Sequence, residues 1–519
     1  MTITRRTTLG MLAAGGGLLS APAILRAQQL FASYPFRLGV AAGEPAPDGF
    51  VIWTRLAPDP LGEHGGMPMA PVSVDWEVGT DERFTTIVAK GSAIARPELA
   101  HSVHVEVAGL LPDRPYWYRF VIGRERSITG RARTLPLPGA SIASVRFGVA
   151  GCQNYEDGLF TAYRHLAQED LAFVFHYGDY IYEGRSSPGR VGYDGLPRRF
   201  VRAHEGQMLY DLADYRRRYA QYKLDTDLQA AHASAAWFPA FDDHEVENNW
   251  TGTIDQNNTP PEIFALRRAA AFQAYYEHMP FRSTSVPRAG GIAIHRRAPV
   301  GQLLDLHVLD TRQFRSDQPC GDGFKPYCKG WDDPQAQILG ADQEKWLGSA
   351  LKAKRARWNG IAQQIMMMPL DRRTGQEPEP IRNMDSWAAY NAPRERLFAQ
   401  FQGLGNVVVL TGDEHQNYAG ELRREAGQGD AVAVEFVTTS ISSGGDGADR
   451  RRGIEQILRE NPFLKYTNDR RGYVTCTVTP EAWQTDMRVV ERVTLPDAPI
   501  KTAATFTVPY GKPELHAAS

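Results

Sequence analysis

Polar residues that can bind metal ions follow hydrophobic runs at four places in the sequence. The four strings are Cys152-Gln153-Asn154, Gly178-Asp179-Tyr180-Ile181-Tyr182, Asp242-Asp243-His244-Glu245 and Gly412-Asp413-Glu414-His415. A single Asp or Asn at such a place is common, because these residues also cap helices and form turns. Four together predict one locus that combines thiolate, carboxylate, phenolate and imidazole groups. Such a ligand set suits one or more metal ions.

The elements that must position these strings belong to one pattern. From residue 145 onward, apolar strands alternate with helical segments, and the strands are predicted at 145–150, 171–175, 303–309 and 407–410. This alternation predicts an α/β domain whose central sheet carries helices on its faces. Ligands in such folds bind beyond the carboxyl ends of the strands, which is where the metal-binding strings lie.

Residues 36–135 show a different pattern, in which short alternating apolar runs are separated by Gly, Pro and Asp turns. Several short strands at regular spacing predict a small all-β domain, a β-sandwich of the fibronectin-like type. The stretch Pro136-Leu137-Pro138-Gly139 predicts a linker.

The first 27 residues predict a twin-arginine export signal. The pair Arg5-Arg6 precedes a Gly/Ala-rich apolar run over 9–25, and Leu25-Arg26-Ala27 provides a small-residue cleavage site. We therefore expect a periplasmic or secreted protein with the twin-arginine export machinery as a partner. The alternatives are a membrane anchor or a chance arginine pair. No later segment has the ~18 uninterrupted apolar residues of a membrane helix, so we expect no integral membrane segment in the mature chain.

The formal net charge of −2 argues against a nucleic-acid-binding surface, because such surfaces need a basic face to neutralise phosphates. A small anionic substrate needs only local positive charge.

The four cysteines are too few for a disulfide scaffold, and all three complete pairings are possible. Cys320 and Cys328 flank a short loop and form the pair that we expect to be bridged. Cys476 alternates with polar residues, which predicts a small strand residue facing the core.

The order of the four strings resembles that of the calcineurin-like metallophosphoesterases. Four motifs depart from that pattern, and these departures resemble those of the PhoD-type alkaline phosphatases, a family that includes phospholipase D members. They are Cys152-Gln153-Asn154 for the first motif, Asp242-Asp243-His244-Glu245 for the third, Ile361-Ala362-Gln363-Gln364 for the lone histidine, and Gly412-Asp413-Glu414-His415 for the last. Two longer strings also match, Asp243-His244-Glu245-Val246-Glu247-Asn248-Asn249 and Gly39-Val40-Ala41 leading to Trp53-Thr54-Arg55-Leu56. The resemblance spans nearly all of the mature chain. It implies a metallophosphatase-like β-sandwich core flanked by helices.

The resemblance implies two metal sites that share Asp179, because a carboxylate has two oxygens and can bridge two ions. In the first site Tyr182 supplies a phenolate, Cys152 a thiolate and His415 an imidazole, and the hard phenolate oxygen favours Fe3+. The structural alternatives are a buried core aromatic for Tyr182 and an inert buried thiol for Cys152.

The second implied site uses Asp179, Asp243 and Asp413, with an amide oxygen from Asn248 or Gln364. Asp243 and Asp413 replace nitrogen ligands of the parent pattern, and oxygen ligands favour a hard cation such as Ca2+. We therefore expect Fe3+ together with one or two Ca2+ ions. Zn2+ or Mn2+ in place of one of them is the alternative.

The implied mechanism is attack on phosphorus by a hydroxide held between the metals. We expect His244, Asp243 and Arg312 to be the catalytic residues, with His244 protonating the leaving alkoxide or steadying the phosphate. A capping or core role is the alternative for His244. Arg312 follows the predicted strand 303–309, and either a phosphate contact or a structural salt bridge fits this position.

The predicted layout is a signal peptide at 1–27, the β-sandwich at 36–135, a metallophosphoesterase domain at 143–495, and a tail at 496–519 as a candidate cover for the site. The predicted function is an exported alkaline phosphatase or phosphodiesterase acting on small phosphate esters. One alternative is a phospholipase D-type diesterase. The other is a non-catalytic exported binding protein in which the metals only brace the fold.

Overall fold

The computed structural model describes residues 31, 33–186, 200–375, 377–427 and 429–518. The predicted export signal at 1–27 lies outside these residues. Within the described part of the chain, no helix is both long enough and apolar enough to cross a bilayer.

The N-terminal part is built from strands alone, apart from short 3-10 turns. Its strands are β1 (Val40–Ala46), β2 (Gly49–Arg55), β3 (Val72–Gly79), β4 (Ile87–Ala95), β5 (Ser102–Val107), β6 (Pro115–Ile122), β7 (Glu125–Arg126) and β8 (Gly130–Arg133).

The remaining part mixes strands with helices. The strands are β9 (Val145–Ala150), β10 (Phe173–His176), β11 (Ala236–Pro239), β12 (Arg296–Val300), β13 (Leu304–Val308), β14 (Phe324–Pro326), β15 (Trp358–Ala362), β16 (Ile381–Asn383), β17 (Val407–Thr411), β18 (Asn417–Arg423), β19 (Ala431–Val437), β20 (Leu464–Asn468), β21 (Gly472–Val478), β22 (Ala482–Val490), β23 (Ile500–Pro509) and β24 (His516–Ala517). The helices are α1 (Thr161–Leu166), α2 (Leu212–Lys223), α3 (Thr226–Ser234), α4 (Pro261–His278), α5 (Gly340–Lys352), α6 (Asn391–Phe401), α7 (Arg424–Gly427) and α8 (Ile454–Glu460).

Two large sheets form the centre of the molecule. One has the strand order β24-β23-β22-β21-β9-β10-β11-β1-β2-β5, and the other has the order β12-β13-β15-β17-β19-β18-β20. Their inner faces share one hydrophobic core, in which Trp358 of β15 meets Trp483 of β22 edge to face at 5.9 Å. The predicted sandwich core is confirmed.

Strand β17 shows how the sequence produces this sandwich. Val408 and Leu410 point into the core between the sheets, whereas Val407 and Val409 pack into a second cluster under α5 and α6. Successive side chains of a strand point to opposite faces, so a strand that is covered on both faces is apolar throughout. The helices therefore flank the sandwich, as predicted.

Parallel pairing sets the position of the functional strings. β10 pairs in parallel with both β9 and β11, and β17 pairs in parallel with β15 and β19. The carboxyl ends of these strands therefore lie at common sheet edges, and the loops that follow them converge.

The N-terminal part is all-β, and three of its strands belong to the large sheet. β1 pairs in parallel with β11, with Ala42 opposite Ala236, so β1, β2 and β5 continue the large sheet. The other N-terminal strands form a separate sheet with the order β4-β3-β6-β7, and β8 also pairs with β6. The N-terminal part and the α/β part therefore share one hydrogen-bonded sheet.

The predicted role of the tail at 496–519 is corrected by the structure. β23 pairs along its length with β22, and β24 pairs with β23. The tail therefore forms the edge of the ten-stranded sheet and is not a cover for the metal-binding strings. The α/β domain extends beyond residue 495 for the same reason.

The string around Trp53 joins the N-terminal part to the α/β part. The indole of Trp53 donates a hydrogen bond to the Glu277 carbonyl at 2.9 Å, and Arg55 bonds the His278 ring at 2.8 Å. The ammonium group of buried Lys223 lies 4.2 Å from the Trp53 ring centroid and 5.2 Å from that of Tyr180. Burial lowers the pKa of Lys223 to about 7.

The predicted disulfide between Cys320 and Cys328 is confirmed. Cys152 and Cys476 are buried free cysteines. Cys476 lies in β21 and contacts the Thr485 hydroxyl, as expected for a small strand residue.

Candidate metal centre

The loops at the strand ends hold the predicted ligands in an uncommon backbone conformation. Cys152 follows β9 with φ 51°, Asp179 follows β10 with φ 55°, and Asp413 and His415 follow β17 with φ 66° and 55°. A positive φ costs a non-glycine residue of order 1–3 kcal/mol and persists only where the surroundings enforce it. Four such residues gather where the loops after β9 and β10 of one sheet meet the loop after β17 of the other, which is typical of a functional site.

A buried tyrosine separates two of these loops. The ring of Tyr177 lies so close to Gly151 and Gly412 that a Cβ would approach it to 2.4 Å and 2.1 Å, respectively. Its hydroxyl donates to the Thr439 carbonyl at 2.9 Å. Only glycine fits on either side, so the spacing of the Cys152 and Asp413 loops is fixed by this contact.

The first group of converging side chains contains Cys152, Asp179, Tyr182 and His415. The Tyr182 hydroxyl donates to Asp179 Oδ2 at 2.8 Å and lies 3.2 Å from His415 Nε2. The thiol of Cys152 lies 3.4 Å from the same Asp179 oxygen. Ligand atoms of Cys152, Asp179 and His415 all lie within 4.8 Å of one another, which is close enough to share one metal ion.

Two further groups of potential ligands adjoin the first one. Asp179, Asp243 and His244 form the second, and Asp242, Asp243 and Asp413 form the third, again within 4.8 Å. Asp179 belongs to the first two groups and Asp243 to the last two. The three groups therefore form one continuous centre, which has enough ligands to bind more than one cation.

The unpaired oxygens of this centre fit a bound cation. Among the described residues, Asp242 Oδ2 and Asp243 Oδ1 are buried and accept no hydrogen bond, and Asp243 Oδ1 has an ion pair with Arg312 Nη2 at 3.7 Å. A buried carboxylate oxygen without a partner is strongly unfavourable unless a cation compensates it. The chemistry of the donors agrees, because carboxylate and phenolate oxygens suit hard cations, and a thiolate and an imidazole suit a transition metal.

Burial and neighbouring charges raise the pKa values of several groups in this centre. Burial, with the charges of Asp179 and Asp413, raises the pKa of the Cys152 thiol well above its ordinary value. Burial and carboxylate repulsion likewise raise the pKa of Asp179 and Asp413, and burial raises that of Asp242 to about 7. Without cations these groups resist ionisation together, whereas a bound metal reverses this effect.

His244 lies at the opening of the centre, with 18% of its side chain exposed. Its Nδ1 lies 2.7 Å from Glu183 Oε2, and its ring stacks on that of Tyr182 with centroids 4.1 Å apart. Burial acts to lower the pKa of His244, but the charges of Asp243, Glu183 and Asp179 outweigh it and raise the pKa well above 6.5. The imidazole is therefore held in one orientation and favours its protonated form.

Arg312 lies beneath the carboxylates with its side chain fully buried. Its Nε donates to Asp242 Oδ1 at 2.6 Å, and its Nη1 donates to Asp385 Oδ1 at 3.0 Å. This geometry corrects the predicted phosphate contact and agrees with the alternative interpretation, a structural salt bridge. Arg312 neutralises acids behind the ligands and has no exposed surface for a substrate.

The two amide side chains considered as ligands have protein partners. Oε1 of buried Gln364 accepts hydrogen bonds from the Thr311 backbone and hydroxyl, at 3.1 and 2.6 Å. Both lone pairs of this oxygen are used, so Gln364 cannot be a metal ligand in this arrangement. The amide nitrogen of Asn248 donates to Gln256 Oε1 at 3.0 Å, and a ligand role for its oxygen stays a prediction.

A profile of the PhoD-like phosphatases matches residues 147–487, and one of their N-terminal domain matches residues 20–136. The chain belongs to the PhoD-like phosphatase family. It is 49% identical over 481 residues to alkaline phosphatase D of Bacillus subtilis (strain 168), covering 92% of this chain and 81% of that protein. The resemblance inferred from the motifs is thereby confirmed, and with it the assignment as a phosphoric ester hydrolase.

Solved structures support the same family. The structure of PhoD aligns with a TM-score of 0.90 at 48% identity, covering 94% of this chain and 93% of that one. The purple acid phosphatase PPD1 from yellow lupin (Lupinus luteus) seeds aligns with a TM-score of 0.55 at 13% identity, covering 92% of this chain and 74% of that one. The lupin enzyme shares the fold alone.

Two important residues of this PhoD-like phosphatase were missed from the sequence. The carboxylate of buried Glu245 accepts hydrogen bonds from the backbone nitrogens of Asp179, Tyr180 and Asp242, and it thus clamps two ligand loops together. Ser443, in the loop after β19, places its hydroxyl 2.7 Å from that of Tyr182. Glu245 stood inside a functional string, whereas nothing in the sequence around Ser443 pointed to the site.

Proposed function

We propose that this chain is an exported, metal-dependent alkaline phosphatase and phosphodiesterase that hydrolyses small phosphate esters. The observation that carries the proposal is the convergence of the three ligand groups in the loops at the strand ends of the two packed sheets, with His244 at their opening. Family membership supports the reaction class, and the buried unpaired carboxylate oxygens support the requirement for metal.

For the metals, we propose Fe3+ held by Cys152, Asp179, Tyr182 and His415. Ca2+, as one or two ions, would be held by Asp179, Asp243 and Asp413, to which the structure adds Asp242 as a neighbour. The first set contains the soft thiolate and the phenolate, and the second contains only carboxylates, which favours a hard ion. Zn2+ or Mn2+ in one position is the alternative. When bound, the metals activate water and neutralise charge on the phosphate.

The chain's own residues perform the proton transfer. His244, held by Glu183 at 2.7 Å and by the stacked ring of Tyr182, donates a proton to the leaving oxygen of the ester. The Glu183 carboxylate, which is not one of the proposed metal ligands, holds the imidazole in place at the opening. Arg312 holds Asp242 in place from below, so the ligand oxygens stay aimed at the opening.

For localisation, we propose export through the twin-arginine route to the periplasm or the exterior. Arg5-Arg6 and the weakly apolar run that follows them support this proposal. The disulfide between Cys320 and Cys328 supports it independently, because stable disulfides are typical of oxidising compartments.

The test compares hydrolysis of an alkyl phosphate monoester and a dialkyl phosphate diester, whose alkoxide leaving groups need a proton, by the wild-type protein and by His244→Ala. We expect kcat to fall about 10²- to 10⁴-fold with both esters, the usual contribution of a general acid. His516→Ala, which changes an exposed histidine at the tail, serves as the control and should keep full activity. Unchanged release of the alkyl alcohol by His244→Ala would contradict the assigned role. Activity on the diester alone would instead favour a phospholipase D-type diesterase.

A further inference from the structure

A disulfide-closed loop lies beside the metal centre, and no step of the proposed reaction uses it. The bridge joins Cys320 to Cys328 across a sequence separation of eight. The enclosed tip is poorly buried, since Phe324 is 51% exposed and Tyr327 is 49% exposed. Burial of side chains therefore contributes little to holding this loop, and the disulfide is a major constraint on it.

The loop makes a specific polar contact with Asn249. Both carboxylate oxygens of Asp322 accept hydrogen bonds from the Asn249 side-chain nitrogen, at 2.9 and 2.8 Å. Just before the bridge, Gln318 donates from its side chain to the Asn249 carbonyl at 2.6 Å. Asn249 has φ 52°, a left-handed conformation that requires support in most residues. The loop segment therefore fixes Asn249 at both its side chain and its backbone.

Asn249 in turn orients a residue of the metal centre. Its backbone N–H donates to Asp243 Oδ2 at 2.7 Å. The other oxygen of Asp243, Oδ1, is buried and accepts no hydrogen bond among the described residues. Oδ2 is thus held by a hydrogen bond, whereas Oδ1 has only the ion pair with Arg312 Nη2 at 3.7 Å and can bind a metal ion. Gln318 also donates to Asp385, the partner of Arg312, so a second path reaches the same centre.

We propose that Asp322 is a positioning residue which, through Asn249, aims Asp243 at the metal, and that the disulfide keeps Asp322 in place. The inference rests on the proposed metal-dependent function. A disulfide restricts the conformations that its loop can reach, so the exposed tip loses less entropy when Asp322 meets Asn249. Tight metal retention therefore requires the oxidised loop, and an enzyme with a reduced loop holds its metal more weakly.

The first test measures metal retained per chain, by elemental analysis, after dialysis against graded concentrations of a chelator. Asp322→Ala removes both acceptors of Asn249 and should lower metal affinity about tenfold, as is usual when a group that orients a ligand is removed. The matched control is Asp332→Ala. Asp332 accepts from Tyr327 and Asn391, and none of its hydrogen bonds reaches Asn249. This control should retain metal like the wild-type protein.

The second test links the bridge to Asp322. The double variant C320S/C328S should lose about as much metal affinity as D322A. Combining the three substitutions should lower metal affinity no further than D322A does, because both changes act through one contact. Added Ca2+ in excess should restore hydrolysis by D322A. A general loss of folding would not be rescued in this way, and the midpoint of thermal unfolding of D322A should stay near that of the wild-type protein.

Unchanged metal retention in D322A, or losses that add when the two changes are combined, would overturn the inference. If C320S/C328S does not fold, D322A decides alone, because it keeps the bridge. A wild-type protein that retains no metal would instead contradict the metal centre itself and the proposed function with it.

Discussion

Replacing Arg312 with methionine separates a structural role from a substrate contact. The guanidinium has no exposed surface and binds Asp242 and Asp385, and Asp243 lies 3.7 Å from it. Removing one partner of a buried ion pair leaves an uncompensated charge, which costs about 3–5 kcal/mol of folding free energy. Arg312 faces several carboxylates, so we expect the upper part of this range.

Urea unfolding measures this cost directly. With a slope of about 3 kcal/mol per M, the midpoint of Arg312→Met should fall by about 1 M or more. Metal content should fall as well, because Asp242 loses its support. Arg450→Met is the matched control. Its side chain is 68% exposed and pairs with the equally exposed Glu455, so the expected loss is below about 1 kcal/mol.

A different result would refute this reasoning. If Arg312→Met keeps the wild-type unfolding midpoint and metal content but raises KM for p-nitrophenyl phosphate, Arg312 contacts the substrate and the buried ion-pair network is not its main role.

Three further predictions follow from the same structure. Lys223 has a folded-state pKa of about 7, below its ordinary 10.5. The unfolded chain therefore binds the extra proton between about pH 7 and 10.5, and stability should rise with pH across this window. Lys223→Met should flatten that dependence in urea titrations at several pH values. Tyr182→Phe should remove any visible charge-transfer band of the loaded enzyme, since the phenolate is the proposed source of colour, and a band that survives would exclude that source. Gly412→Ala should destabilise the fold by about 1–3 kcal/mol, because its Cβ would lie 2.1 Å from the Tyr177 ring, and calorimetry that shows no change would contradict the tight packing.

Much of the candidate site could be predicted because the relevant signals are local. Each of the four strings comes shortly after or at the end of a mainly apolar strand, and the loops that follow these strands converge. The ligand atoms of Cys152, Asp179 and His415 accordingly meet within 4.8 Å. The strands of the sandwich were recognisable for the same reason, since an uninterrupted apolar run is typical of a strand covered on both faces.

The features that the sequence did not reveal are contacts between residues far apart in the chain. Arg312 binds Asp242 across 70 residues, and Asn249 meets Asp322 across 73, so neither pairing has a local signature. Gln364 occupies the position of an expected ligand, yet its neighbour Thr311 uses both acceptor positions of its oxygen. Strand spacing predicts a sandwich in the N-terminal part but does not state that β1 pairs with β11 of the large sheet.

The ten-stranded sheet also sets the order in which the chain can fold. β9 carries Cys152 at its end, and its neighbours are β10 and β21. β21 begins only at Gly472, so β9 keeps an open edge until the ribosome has released nearly the whole polypeptide. Pairings between such distant segments form slowly, and open edges invite association with other chains. A chain truncated before residue 472 should therefore aggregate, although every proposed metal ligand precedes that point.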